Sequence, residues 1–179
     1  MRRFLFWIAM LPLILTPIAR SQTVDLAALK GTLPPAFTLT DLAGRSISTD
    51  DYRGRPLILN FWATWCAPCK AETPWLIELR NQYKESGLEI LAISMDDYSA
   101  ASPKKLADSR AVVARFAGKL QIPYPVLLGG LTLPAPYSGF DSLPVTLYID
   151  RSGHVATMTS GIVSRSEIDE RIHLILEAK

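Results

Sequence analysis

Along the chain the spacing of apolar positions changes repeatedly, and each change marks an element. Phe4 to Ala19 carries no charge at all. Further on, Phe37-Thr38-Leu39 and Arg45-Ser46-Ile47 flank Asp41-Leu42-Ala43-Gly44, which predicts a small hairpin with a glycine-containing loop. Asp50 to Gly54 predicts a short helical turn. Leu57-Ile58-Leu59-Asn60-Phe61 is a near-continuous apolar run, the pattern of a strand buried on both faces. The period then becomes helical. Trp75, Leu76, Leu79 and Tyr83 predict a helix over 67–86, with Pro74 inside it and Gly87 as its stop. Leu88 to Ser94 predicts a second buried strand. A helix opening at Ser102-Pro103 places Leu106, Val113 and Phe116 on one face and ends at Gly118. Tyr124 to Leu128 predicts a third strand. Val145 to Ile149 and Val155 to Thr159, joined through Asp150-Arg151-Ser152-Gly153, predict an antiparallel hairpin. A closing helix over 164–178 turns Ile168, Ile172, Ile175 and Leu176 inward, and Ser164-Arg165-Ser166-Glu167 has the form of a capping box.

Helices alternate with strands early and a hairpin comes late. That order predicts an α/β domain with a mixed central sheet, helices on both faces and an N-terminal hairpin extension. Pro34-Pro35 opens it, residues 22–33 are a lead segment, and no internal boundary, repeat or phosphate-binding glycine loop interrupts 34–179.

The charge-free run has a second meaning. Met1-Arg2-Arg3 precedes it, and Ala19-Arg20-Ser21 follows with small residues at the first and third positions. This is the plan of a secretory signal, with cleavage expected after Ser21. The run is shorter than the roughly 20 residues that span a bilayer, which favours cleavage over the competing reading, an uncleaved anchor. The leader also distorts the totals. The chain of 179 residues has 19 basic and 17 acidic side chains, net +2, but Arg2, Arg3 and Arg20 belong to residues 1–21, so the remainder has a net charge of −1. With no dense Lys/Arg block, nucleic acid is not an expected partner.

The two cysteines of the chain are Cys66 and Cys69, directly after a predicted buried strand and opening a helix. Two cysteines cannot make a disulfide scaffold, and a bond between them would close a loop too short to be a useful staple. A structural zinc needs four ligands, and only His154 and His173 are added, on late elements, so no metal is expected. At a helix N-terminus, unpaired N–H groups and the helix dipole favour negative charge. Cys66 is therefore the candidate attacking thiolate, and Cys69, one turn on, the candidate resolving thiol. The redox-active pair itself stands in place of a separate cofactor.

Asn60-Phe61-Trp62-Ala63-Thr64-Trp65-Cys66-Ala67-Pro68-Cys69-Lys70-Ala71-Glu72-Thr73-Pro74 resembles the active-site stretch of exported thioredoxin-fold thiol-disulfide oxidoreductases of the TlpA/ResA type. Pro35-Ala36-Phe37, Tyr52-Arg53-Gly54 and Leu143-Pro144 with the following Val145-Thr146-Leu147-Tyr148-Ile149-Asp150 extend the likeness over most of 34–179. The resemblance implies a thioredoxin-like fold. It puts Pro144 at the family's cis-proline facing the disulfide, and gives Leu143 backbone groups to offer an incoming peptide. Trp65 would cover one side of the disulfide and form part of the docking surface. Thioredoxin itself has a buried Asp where this chain has Asn60. Glu72, three residues after Cys69, is then the acid expected to handle protons; a solvated surface glutamate is the bland alternative.

The departures lie in 129–141, where Gly129-Gly130, Pro134 and Pro136 oppose the family's short helix and Tyr137 and Phe140 are expected to line the substrate surface. Asp96-Asp97 reads as a strand-end turn or helix cap.

The resemblance implies a monomer in the bacterial periplasm or on the outer face of the cytoplasmic membrane. It would reduce disulfides of cysteine-containing envelope proteins, apocytochrome c among them, and draw electrons from a membrane thiol-disulfide carrier. A dithiol oxidase or isomerase and a binding or chaperone module stay open. A peroxide-reducing enzyme would need Thr three residues before its cysteine, where this chain has Ala63.

Overall fold

A computed structural model of the chain describes residues 26–96, 103–130, 133–138 and 140–178. The expected leader, its cleavage site, Asp97 and Ser102 lie outside them. Seven strands make one sheet: β1 (Thr38–Asp41), β2 (Ser46–Ser48), β3 (Leu57–Trp62), β4 (Glu89–Ser94), β5 (Val126–Leu128), β6 (Val145–Ile149) and β7 (Val155–Ser160). Their spatial order is β2-β1-β5-β4-β3-β6-β7. The parallel pairs are β3 with β4 and β4 with β5; every other neighbour is antiparallel. Every residue of β3 is buried, as its unbroken apolar pattern requires of a central strand.

The helices are α1 (Ala67–Tyr83), α2 (Pro103–Leu120) and α3 (Arg165–Glu177). α1 and α2 carry the chain between parallel strands. α3 starts at the expected capping box: the Ser164 hydroxyl accepts from the Glu167 N–H, and the Glu167 carboxylate accepts from the Ser164 N–H. Gly87 ends the 3-10 turn after α1 at φ +84°, a conformation that favours glycine.

All three α-helices feed one core, in which Leu76 and Leu79, Val113, and Ile168, Ile172 and Ile175 pack on Ile58, Ile90, Ala92 and Tyr148 of the sheet. The other face, with Leu59, Phe61, Leu91, Ile93 and Leu147, is covered by Phe37, Leu133 and Tyr137, with Leu29 and Phe140 at its margin. The helical cover expected on this face is, among the described residues, by short 3-10 turns, Leu26–Leu29 and Thr49–Tyr52, which supply Leu29 and Tyr52. The rest is irregular chain, because the prolines and glycines of 129–141 leave a turn at 135–138.

Several sequence expectations change, and α2 runs through Gly118 to Leu120 instead of ending at that glycine. β5 starts at Val126, two residues later than expected, because Pro123 and Pro125 cannot donate to a ladder. Leu106, expected on the inner face of α2, is exposed. Tyr137, expected at the substrate surface, is fully buried, stacks on Phe61 and donates its hydroxyl to the Pro35 carbonyl at 2.8 Å.

The chain joins the sheet along its β7 edge. The Gly31 N–H donates to the Val155 carbonyl at 2.8 Å, and the Val155 N–H to the Thr32 carbonyl at 3.0 Å.

Candidate active site

The buried strand β3 delivers the cysteine segment to the end of the sheet where the helices begin. A turn follows Trp62, closed by the Cys66 N–H donating to the Ala63 carbonyl at 3.1 Å. Cys66 then caps α1, and its Sγ accepts the Cys69 N–H at 3.2 Å. The sequence thus places this sulfur where a thiolate is favoured, at the positive end of a 17-residue helix with a donor aimed at it. Pro68 falls in the first turn, where a missing N–H costs little. Cys66 and Cys69 are joined as a disulfide with Cα atoms 5.3 Å apart, so the oxidised form is the one described.

Glu72 lies one helical turn beyond Cys69. It is 1% exposed, and neither carboxylate oxygen has a hydrogen-bond partner among the described residues. A solvated surface glutamate is therefore ruled out. Burial pushes its pKa up to about 7. Its charge reaches two buried phenols, Tyr124 and Tyr148, whose pKa values are raised first by burial and then by Glu72. A carboxyl poised near neutrality one helical turn from Cys69 is able to give or accept a proton at physiological pH.

Asn60 cannot share that task. Its amide donates to the Thr146 hydroxyl at 2.9 Å across β3 and β6, both groups buried.

The register of β3 on β6 pairs Phe61 with Val145, so Pro144 comes level with Trp62 at the cysteine end of the sheet. The Leu143–Pro144 bond is cis, as expected. Trp65 is 69% exposed, the largest exposure among the large hydrophobic side chains described, and shares a groove with Met95, Phe140 and Leu143; Asp141 is the charged residue of its lining. Trp62 is a core residue, and Trp75 is half-buried.

Sequence reasoning missed Asp96. Read as a turn or cap, it is instead buried and holds the cysteine loop, accepting from the Thr64 N–H at 3.0 Å, the Thr64 hydroxyl and the Ser94 hydroxyl. An acid at the end of an apolar strand was its one signal in the sequence.

The family profile described as AhpC/TSA matches residues 30–179. The chain belongs to the AhpC/TSA family. Two curated relatives in this family support a narrower placement. The thiol-disulfide oxidoreductase ResA of Geobacillus thermodenitrificans is 31% identical over 160 residues, covering 89% of this chain and 86% of the relative. ResA of Bacillus thuringiensis subsp. konkukian is 33% identical over 143 residues, covering 79% and 75%. The crystal structure of a putative thiol:disulfide interchange protein DsbE from Chlorobium tepidum superposes with a TM-score of 0.69 at 24% identity, covering 82% of this chain and 97% of that one, and establishes the thioredoxin-like fold. Within AhpC/TSA, then, this chain is a thioredoxin-fold enzyme of the thiol-disulfide oxidoreductase class.

Proposed function

We propose that the chain is exported and reduces disulfides of envelope proteins through Cys66 and Cys69. The supporting observation is the sulfur of Cys66 at the cap of α1, with the Cys69 N–H 3.2 Å away and the unpartnered carboxylate of Glu72 buried one turn further on.

In the reduced enzyme, the Cys66 thiolate attacks one sulfur of a substrate disulfide. One S–S bond forms, the substrate S–S bond breaks, and the departing substrate thiolate takes a proton from solvent. Glu72 as carboxylate accepts the Cys69 proton. The Cys69 thiolate then attacks Cys66 Sγ, and the second substrate sulfur leaves as a thiolate and is protonated. Two electrons pass to the substrate, and Cys66–Cys69 becomes the disulfide. A dithiol of a membrane carrier returns the pair to the reduced state by the reverse exchange. Trp65 and the backbone of Leu143, ahead of Pro144, hold the extended substrate segment, which adds to the chain as a short strand would. Apocytochrome c is the substrate class expected from the resemblance, and the periplasm or the outer face of the cytoplasmic membrane is the site expected from the leader.

The deciding experiment is Cys69→Ser in the source cell. Without the resolving thiol, mixed disulfides on Cys66 persist, and the trapped partners are envelope proteins with paired cysteines. Recovery of no mixed disulfides overturns the scheme. Cys66→Ser abolishes insulin-disulfide reduction; retained activity would return the chain to a binding module with an incidental cysteine pair.

A further inference from the structure

We infer that Asp96 is the positioning residue for Cys66: from the end of β4 it fixes the turn that presents Trp65 and the attacking sulfur. The inference rests on Cys66 as nucleophile and concerns a residue outside the cysteine motif. A carboxylate that is 5% exposed is costly unless it is hydrogen-bonded. Asp96 meets that requirement with one donor at the end of its own strand β4 and two from Thr64, in the cysteine turn. Oδ2 accepts from the Thr64 N–H at 3.0 Å and the Ser94 hydroxyl at 2.7 Å, and Oδ1 accepts from the Thr64 hydroxyl. The Ser94 hydroxyl also accepts from the Asp96 N–H at 3.3 Å, which holds the carboxylate from below.

Thr64 is the first corner of the turn Ala63–Cys66, whose closing bond is Cys66 N–H to Ala63 carbonyl. Both of its donors end on one carboxylate, so the corner is held at two points. Trp65 is the second corner and projects outward, and Cys66 follows as the helix cap. A second tie, the Met95 N–H to the Trp62 carbonyl at 2.7 Å, keeps β4 alongside the start of the turn. The strand and the turn therefore move together, and the position of Cys66 relative to the α1 N–H groups is set from β4.

The test separates position from charge and from bulk stability. In a Cys69→Ser background Cys66 is the sole thiol of the chain. Its alkylation by iodoacetamide, followed against pH, reports the thiolate without any docking. Thr64→Val removes the hydroxyl donor and leaves the Asp96 charge in place. Its alkylation at neutral pH is expected to fall about tenfold, the worth of one hydrogen bond to a buried charge, with the inflection moved to higher pH. Asp96→Ala is expected to fall at least as far, per folded molecule. Asp96→Asn keeps an acceptor for the Thr64 N–H and is expected to recover to within about threefold of the parent. With both cysteines present, insulin reduction is expected to follow the same order in kcat/KM.

Parental alkylation and inflection in folded Thr64→Val and Asp96→Ala, even with a lowered Tm, overturn the inference and leave Asp96 a structural residue. If Asp96→Ala does not fold, Thr64→Val decides alone. A loss in Asp96→Asn equal to that in Asp96→Ala, with Thr64→Val unchanged, assigns the effect to charge and also overturns positioning. Retained insulin reduction in Cys66→Ser is a different failure, that of the nucleophile assignment itself.

Discussion

Asn60 and Thr146 face each other across β3 and β6, joined by a 2.9 Å hydrogen bond inside the sheet. The pair is neutral and satisfied, which explains how an amide is tolerated in the strand that leads to the cysteines. Asn60→Asp places a carboxyl in the same buried site. Its ionisation is opposed there, so the variant is expected to lose about 2 kcal/mol at pH 8 and much less at about pH 3.5, below the unfolded carboxyl's pKa. Urea unfolding at both pH values checks this; an equal loss at the two would contradict it.

Glu72 gives the parent protein the same kind of pH dependence. Its ordinary value of 4.5 rises to about 7 in the folded state through burial. The folded protein holds that proton more tightly than the unfolded chain does. The stabilising effect is complete below about pH 4.5 and is lost as pH rises through about 7. The total corresponds to about 3 kcal/mol. Glu72→Gln does not titrate, so oxidised parent and variant are expected to diverge across that window, the variant being the more stable above it. Parallel stability curves from pH 4 to 8.5 would count against a buried acid at this position. The same substitution is expected to remove an inflection near pH 7 from the rate at which Cys69 resolves a Cys66 mixed disulfide.

Tyr148 presents the converse case. Its hydroxyl is buried beside Thr159 but outside hydrogen-bond geometry, so most of its desolvation cost is not recovered. Tyr148→Phe keeps the ring in the core with Ile58 and Ile168. Stability is expected to stay level or rise by up to about 1 kcal/mol. A thermal unfolding midpoint several degrees below the parent would show that the hydroxyl is paired.

Gly129 is demanded by space. A Cβ there would stand 2.7 Å from Ile93 Cγ2 and 3.0 Å from the Ser94 carbonyl oxygen, to which the Gly129 N–H itself donates at 3.0 Å. Gly129→Ala is expected to cost about 1–3 kcal/mol. Since Ser94 also holds Asp96, the variant is expected to slow Cys66 alkylation as well. Denaturant midpoints and alkylation rates measured together test both effects.

Much of this architecture was legible because short-range rules agree with the final environment. The apolar run 57–61 is a strand buried on both faces, and Ser164 with Glu167 caps α3 as their spacing implies. Cys66 and Cys69 were legible from their place between a strand and a helix. Three features depended on tertiary partners instead. Tyr137 is buried because Phe37 and Phe61 enclose it from segments far away in sequence. Leu106 is exposed although it has the spacing of an inward position. Asp96 acts on Thr64, 32 residues earlier, and only the parallel alignment of β3 with β4 brings the two together.

The joint between Gly31-Thr32 and Val155 has a directional consequence. Val155 is opposite Ile149, which is opposite Leu57, at the start of β3. The cysteine turn begins after Trp62, at the other end of that strand, about 17 Å away at 3.3–3.4 Å per residue. Residues 31–32 are therefore held at the foot of the sheet while the reactive sulfur stands at its head. The two ends of β3 thus divide the labour: one anchors the lead segment, the other presents the sulfur.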